Sequence, residues 1–192
     1  MKRETWDTTL LGVVAMALVV ACDSRGPIAA PSTSRAAELS ASRVAPRGAA
    51  HIGWELFTSA SATAADGLKL TVTGSGTFVA PAGRHGPSGA ATGGGTWETR
   101  DSSGVVTGTG NYAVTGVVRW DRALASVPSM PGSTAGLAVL RVEYDDGSAG
   151  ILTISCRISH AQPGRFEGVT ASKGFVDYWN PTPSPNLFHV LH

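Results

Sequence analysis

The side chains that could bind a metal are few in this sequence and poorly spaced for the task. His189 and His192 have a spacing that suits a metal site on a helix. The strand-like ending Leu187 to Leu191 would instead turn such rings to opposite faces, because side chains alternate along a strand. Asp145-Asp146 resembles a calcium-binding turn only superficially, and Asp-Gly between alternating segments predicts a hairpin. We therefore expect no metal site and no resident cofactor.

Nucleophiles and bases are equally isolated. Cys156 shares a predicted strand face with Leu152 and Ile154, which indicates a buried and inert thiol. No phosphate-binding loop, dinucleotide fingerprint, nucleophile elbow or zinc cysteine pair occurs. The sequence therefore predicts no enzyme. A hydrolase that uses His85 or His160 with a loop carboxylate remains the alternative.

The most informative stretch lies near the start of the chain. Lys2 and Arg3 precede the run from Leu10 to Ala21, which is shorter than the roughly 20 apolar residues that span a bilayer. The run ends in Leu18-Val19-Val20-Ala21-Cys22, which resembles the lipobox of bacterial lipoproteins. The resemblance implies a signal peptide over 1–21 and acyl chains, such as palmitate, attached at Cys22. An ordinary secretory signal is the alternative.

The same resemblance implies a location. A lipid-modified Cys22 would anchor the protein to a membrane of the cell envelope, facing the periplasm or the exterior. Asp23 resembles the signal that retains some lipoproteins in the inner membrane. Residues 22–50 are rich in Pro, Ser, Ala and Arg and lack aromatic residues, so we interpret them as a disordered tether.

Composition then limits the partners and the fold class of the remaining chain. Net charge is +1, which gives no electrostatic reason to expect a nucleic-acid partner. Charged residues make up 15% of the chain and there are 24 glycines, where about 13 would be average. Abundant Gly, Thr, Ser and Val favour strands and tight turns. Residues 51–192 are therefore predicted to form one all-β domain.

Alternation of apolar and polar residues predicts about eight or nine strands. They form an antiparallel β-barrel or a β-sandwich. The expected strands are a short segment near Trp54, then Leu68–Ala80, Thr92–Arg100, Val105–Trp120, Leu137–Tyr144, Ala149–Ile158, Phe166–Thr170, Phe175–Trp179 and Leu187–Leu191. Residues 121–136 are expected to form a long connection, and the small-residue run 59–65 to end the first strand.

Three of these strands share a repeat in which two glycines precede an aromatic residue. It reads G-x-G-[TN]-aromatic and ends at Phe78, Trp97 and Tyr112. A ring on one strand can cover the bare backbone of a glycine on its neighbour, which favours a strongly curled sheet. We predict that Phe78, Trp97, Tyr112 and Trp120 either fill the core or line a ligand cavity.

Gly95-Thr96-Trp97 is similar to the G-x-W signature of calycins, the superfamily of lipocalins and avidins. That resemblance implies a barrel that carries a small apolar ligand. The sequence as a whole predicts a membrane-anchored lipoprotein that acts as a non-enzymatic binding or envelope-interaction module. Its expected partners are an envelope protein or a small apolar ligand, and the calycin-like carrier is the alternative function.

Overall fold

The fold, seen in a computed structural model, consists of β-strands and the turns between them. Residues 49–82, 90–123, 125–158 and 165–191 are described, and all of them belong to one compact unit. The strands are β1 (Ala50–Ala64), β2 (Lys69–Ala80), β3 (Ala91–Arg100), β4 (Val106–Ala123), β5 (Ser133–Tyr144), β6 (Ala149–Cys156), β7 (Gly168–Lys173), β8 (Val176–Thr182) and β9 (Asn186–Leu191). The prediction of an all-β antiparallel fold with eight or nine strands is confirmed.

The strands form one antiparallel sheet that closes on itself. Consecutive strands from β1 to β8 are neighbours, and β8 pairs again with β1, so eight strands make a ring. The turns β1–β2, β3–β4, β5–β6 and β7–β8 therefore lie at one end, which we call the hairpin end. Ala50, where the first strand begins, pairs with Ala80 at the opposite end.

The last strand joins two sides of the ring at the end opposite the hairpins. There β9 pairs with β1 between His51 and Leu56, and it also pairs with the first residues of β5. The Glu167 carboxylate accepts hydrogen bonds from the backbone N–H groups of Arg157, just after β6, and of Asn186, at the start of β9. A side chain thus satisfies backbone donors that no neighbouring strand reaches there.

The first strand is longer than the sequence predicted. β1 continues through the small-residue run to Ala64, with a bulge between Leu56 and Ala60. Ala60 and Ala62 point into the core and are buried, so small side chains fit this position inside the ring. The strand does end within this run, but it is not the short segment that was expected.

The sequence predicts that Val114, Gly116, Val118 and Trp120 share one face of β4, and this alternation was wrong in the second half of the strand. Bulges at Thr115 and Val118 each insert one residue relative to β5. Val117 is consequently buried, whereas Gly116 pairs with the exposed Arg141. Because the two insertions cancel, Trp120 faces inward as expected. β4 ends at Ala123 and β5 begins at Ser133, so the connection is shorter than the predicted 121–136.

Side chains fill the interior of the ring. The largest fully buried residues include Trp54, Phe78, Phe188, Leu140 and Ile154. Each such side chain contributes about 1.5–3 kcal/mol when it leaves water. Across the described ranges, no helix is long and apolar enough to cross a membrane.

Candidate functional site

The four aromatic residues singled out from the sequence lie in two separate clusters inside the ring. Phe78 stacks edge-on against Trp120 with ring centroids 5.3 Å apart, and Trp120 does so against Phe188 at 4.6 Å. The Trp120 ring also lies over the bare backbone of Gly136 on β5. Phe78 is buried and Trp120 is half-buried. This first cluster occupies the end opposite the hairpins.

The second cluster closes the hairpin end. Trp97 packs edge-on against Tyr144 with centroids 6.0 Å apart, and Tyr112 lies 6.1 Å from Tyr144. The Lys173 ammonium sits 4.1 Å from the centre of the Trp97 ring and 4.9 Å from that of Tyr144. Such cation–π contacts are strongest where water is excluded. We call Trp97, Tyr112, Tyr144 and Lys173 the aromatic plug.

The polar atoms around this plug have partners on the hairpin turns. Trp97 Nε1 donates to Asp145 Oδ1 at 3.0 Å and to the Asn111 carbonyl at 3.1 Å. Asp146 forms an ion pair with Lys173, which together with Ser148 lowers the pKa of Asp146 to about 2. The predicted hairpin over Asp145-Asp146 is therefore present. Its two carboxylates reach other strands, Asp145 bonding Trp97 and Asn111 and Asp146 pairing with Lys173. Their contacts stabilise the end of the ring.

Burial also shifts the pKa values of ionisable side chains in the core. It raises the pKa of Tyr112 and Tyr144, whose hydroxyls donate to backbone carbonyls of Thr73 and Ser172. Burial, with a smaller effect of the nearby Glu167, raises the pKa of the Cys156 thiol to about 12. Cys156 therefore stays protonated at neutral pH, as expected of an inert thiol.

Most of the other sequence candidates lie where the structure gives no description. Cys22, Asp23, His85, His160 and His192 lie outside the described residues. His189 lies on β9 opposite Gly53 and Ser133, neither of which supplies an imidazole or a carboxylate. In the parts of the chain that are described, no three His, Cys, Asp or Glu residues are grouped to hold a metal ion.

A polar groove lies on the outer face of β2, β3 and β4. Its volume is about 460 Å³, within the range of small-molecule sites. We call it the threonine groove. Its lining residues are Thr71, Thr73, Thr96, Trp97, Glu98, Thr109, Gly110 and Asn111.

Strand register explains how these residues come together. Thr71, Glu98 and Thr109 stand opposite one another on three adjacent strands. The next row holds Thr96 opposite Asn111, and the Thr73 and Thr96 hydroxyls are 2.7 Å apart. Opposite residues in a sheet share a face, so the two rows place hydroxyl, amide and carboxylate groups side by side.

The groove carries little net charge. Glu98 Oε1 accepts a hydrogen bond from Arg100 Nε at 2.6 Å, and the same guanidinium donates to the Gly104 carbonyl at 2.8 Å. The carboxylate is thereby balanced by a cation on its own strand. The hydroxyls of Thr71 and Thr109 form no hydrogen bond to a described residue, so they remain available to a ligand.

A second groove of about 450 Å³ lies on the outer face of β4, β5 and β6. Arg141 and Glu143 give it charges of both signs, and Ile151 adds an apolar side chain. Its composition is that of an ordinary mixed protein surface. The threonine groove is the more distinctive of the two.

The sequence reasoning did not identify this groove. The alternation placed the threonines of β2 and β4 on polar faces, but that pattern is equally typical of solvated strands. A signal was nevertheless present, because the hydroxyl residues recur on the same face of three consecutive strands. Only strand register turns that recurrence into neighbouring rows.

Comparison with known proteins found no counterpart. No family model matches the chain, and no curated protein or solved structure matches it.

Proposed function

We propose that this protein is a lipid-anchored, non-enzymatic binding module of a bacterial cell envelope that recognises a neutral, hydroxyl-bearing ligand such as a glycan. The observation that carries the proposal is the threonine groove. The ligand class follows from the chemistry of its lining. The anchor follows from Leu18 to Cys22.

Hydroxyl and amide groups suit a sugar because each can donate as well as accept hydrogen bonds. Thr71, Thr109 and Asn111 supply such groups, and Glu98 adds an acceptor. Threonine methyl groups offer apolar contact to the C–H faces of a sugar ring. None of the lining residues is a cation, and the nearby Arg100 is engaged by Glu98 and Gly104, so the lining suits a neutral ligand better than a phosphate or sulfate.

The filled interior favours recognition at the surface over transport of a small apolar ligand. Trp54, Phe78 and Phe188 are almost completely buried and occupy the space that a calycin-like ligand would need. The two described cavities both lie on the outer face. A non-enzymatic role is consistent with the described histidines His51 and His189, neither of which forms a hydrogen bond to a described hydroxyl or thiol.

Removing two hydroxyls from the groove should weaken glycan binding. Thr71→Val with Thr109→Val replaces each hydroxyl by a methyl group of similar shape, so we expect the strands to be retained. Each lost hydrogen bond contributes about 0.5–1.5 kcal/mol, so losing two should weaken binding about 5-fold to 150-fold. The measurement is NMR titration of residues 23–192 with N-acetylglucosamine oligosaccharides and with cello-oligosaccharides.

Thr182→Val is the matched control, because Thr182 is exposed on β8 outside the groove. It should bind as tightly as the unaltered chain. Absence of binding by both oligosaccharides, or equal binding by the double variant, would contradict the proposed ligand class. A small apolar molecule retained in native mass spectrometry and lost on denaturation would instead favour the carrier.

The anchor has its own test. In a bacterium that makes lipoproteins, the full chain should sediment with membranes and incorporate labelled palmitate, whereas Cys22→Ser should do neither. Cys156→Ser is the control, since its thiol is buried, and it should still acquire the label. Membrane association of Cys22→Ser at the level of the unaltered chain would disprove the anchor.

A further inference from the structure

Strand β4 changes partners halfway along its length. It pairs with β3 from Val106 to Ala113, and with β5 from Tyr112 to Ala123. β3 departs at Gly94 and continues beside β2 alone. Within the described residues, the edge of β4 that faces away from β5 therefore has no strand partner from Val114 onward.

Two edge segments of β4 lack a strand partner among the described residues, and a side chain covers only one of them. Near the hairpin end, the Asp145 carboxylate lies against the edge. It accepts a hydrogen bond from the Asn111 N–H at 2.7 Å and packs on Gly110. Natural sheets often block edges with such inward-pointing charges. From Val114 to Arg122, no described side chain makes a hydrogen bond to the backbone. Among the described residues, this second edge has no partner.

The charged side chains along this second edge are complementary to the same side chains of a second copy. Arg119 is exposed and Asp121 partly exposed on the outer face, where they form an ion pair with an N···O distance of 2.7 Å, while Trp120 between them faces inward. If two copies pair antiparallel about Trp120, Arg119 of each stands opposite Asp121 of the other. Oppositely charged cross-strand pairs are favourable, and like charges directly opposite are unfavourable.

Neighbouring registers lack this complementarity. A shift by two residues in one direction places Arg119 opposite Arg119, and a shift in the other direction places Asp121 opposite Asp121. A shift by one residue would bring an inward-facing side chain opposite an outward-facing one, which the pleat does not allow. The charges thus select one register with two-fold symmetry.

We propose that the β4 edge from Val118 to Arg122 pairs antiparallel with the same edge of a second copy, forming a two-fold dimer. The surface is isologous, and its affinity comes from main-chain hydrogen bonds, as in other strand additions. The bulges at Thr115 and Val118 keep the paired segment short. We therefore expect a concentration-dependent dimer with a dissociation constant on the order of micromolar. This inference is independent of the groove and of the lipid anchor.

Charge exchange tests the register. Residues 23–192, which retain every described residue, should show a monomer–dimer equilibrium in sedimentation velocity. Arg119→Glu should raise the dissociation constant at least tenfold, because Glu would then face Asp121 of the other copy. The double variant Arg119→Glu/Asp121→Arg should restore dimerisation. Lys69→Glu, an exposed charge reversal on β2, is the control and should leave it unchanged.

Mixed-variant crosslinking tests the geometry directly. Directly opposed residues of antiparallel strands have Cα atoms about 4.5–5.5 Å apart, within reach of a disulfide. An equimolar mixture of Arg119→Cys and Asp121→Cys chains should therefore crosslink on oxidation, whereas either variant alone should not. The native Cys156 is buried and should not compete. A chain that stays monomeric at all concentrations, or a dimer unaffected by Arg119→Glu, would overturn the proposal.

Discussion

Replacing Trp97 with alanine should destabilise the domain by about 3–5 kcal/mol, the range found for large aromatic residues removed from cores. Trp97 is 6% exposed, and its indole N–H donates to Asp145 and to the Asn111 carbonyl. Its ring also covers Gly108 and supports the Lys173 ammonium. Removing the ring leaves a cavity. It also removes one contact from Asp145, the Asn111 carbonyl and the Lys173 ammonium. Urea unfolding followed by circular dichroism measures the change.

Trp179→Ala provides the matched control. Trp179 is 70% exposed on β8, so the same substitution there should change stability by no more than about 0.5 kcal/mol. A loss of less than about 1 kcal/mol for Trp97→Ala would mean that the aromatic plug does not hold the hairpin end closed. A large loss for Trp179→Ala would show that the exposed face of β8 contributes to the stability of the fold.

Replacing Gly95 with alanine should separate two strands that lie unusually close together. A Cβ atom at Gly95 would lie 2.6 Å from the Thr73 carbonyl carbon and 2.7 Å from Gly74 Cα, which are backbone atoms that cannot rotate away. The strands would have to move apart where the Tyr112 hydroxyl bonds the Thr73 carbonyl. We expect a loss of about 3 kcal/mol or more, seen as reduced soluble yield and a lower urea midpoint.

Gly53→Ala should act in the opposite direction. Gly53 also lies inside a strand, but its added Cβ would meet only the Leu191 side chain, at an ordinary 3.7 Å. Alanine restricts the unfolded chain more than glycine does, so we expect a gain of about 0.4–1 kcal/mol. If Gly95→Ala were tolerated as well as Gly53→Ala, the close approach of β2 and β3 would not constrain the fold.

Much of the local structure could be predicted because it depends on short-range pattern. The alternation in β2 correctly placed Leu70, Val72 and Phe78 on the buried face. Asp-Gly correctly indicated the β5–β6 hairpin. The bulges of β4 could not be predicted, because an inserted residue breaks the alternation without any change in composition. Val117 is therefore buried although strict alternation would place Val118 in the core.

The threonine groove and the aromatic plug could not be predicted from the sequence, for a different reason. Lys173 reaches Trp97 and Tyr144 from a strand far along the chain, and nothing local marks it as a residue that packs on aromatic rings. The threonine groove depends on β2, β3 and β4 pairing in one particular register. A register is a relation between strands, so single-strand patterns carry little information about it.

The sequence alone determined that this chain forms antiparallel strands with one apolar face, since alternation at period two admits few other structures. It also supplied the prediction of an anchor at Cys22. The tertiary structure decided the rest: which polar faces adjoin, which aromatic rings close the ring of strands, and which edge of β4 stays unpaired among the described residues. Those features arise from contacts between residues distant in the chain. Such contacts depend on strand pairing and closure, which are settled only when the whole sheet assembles.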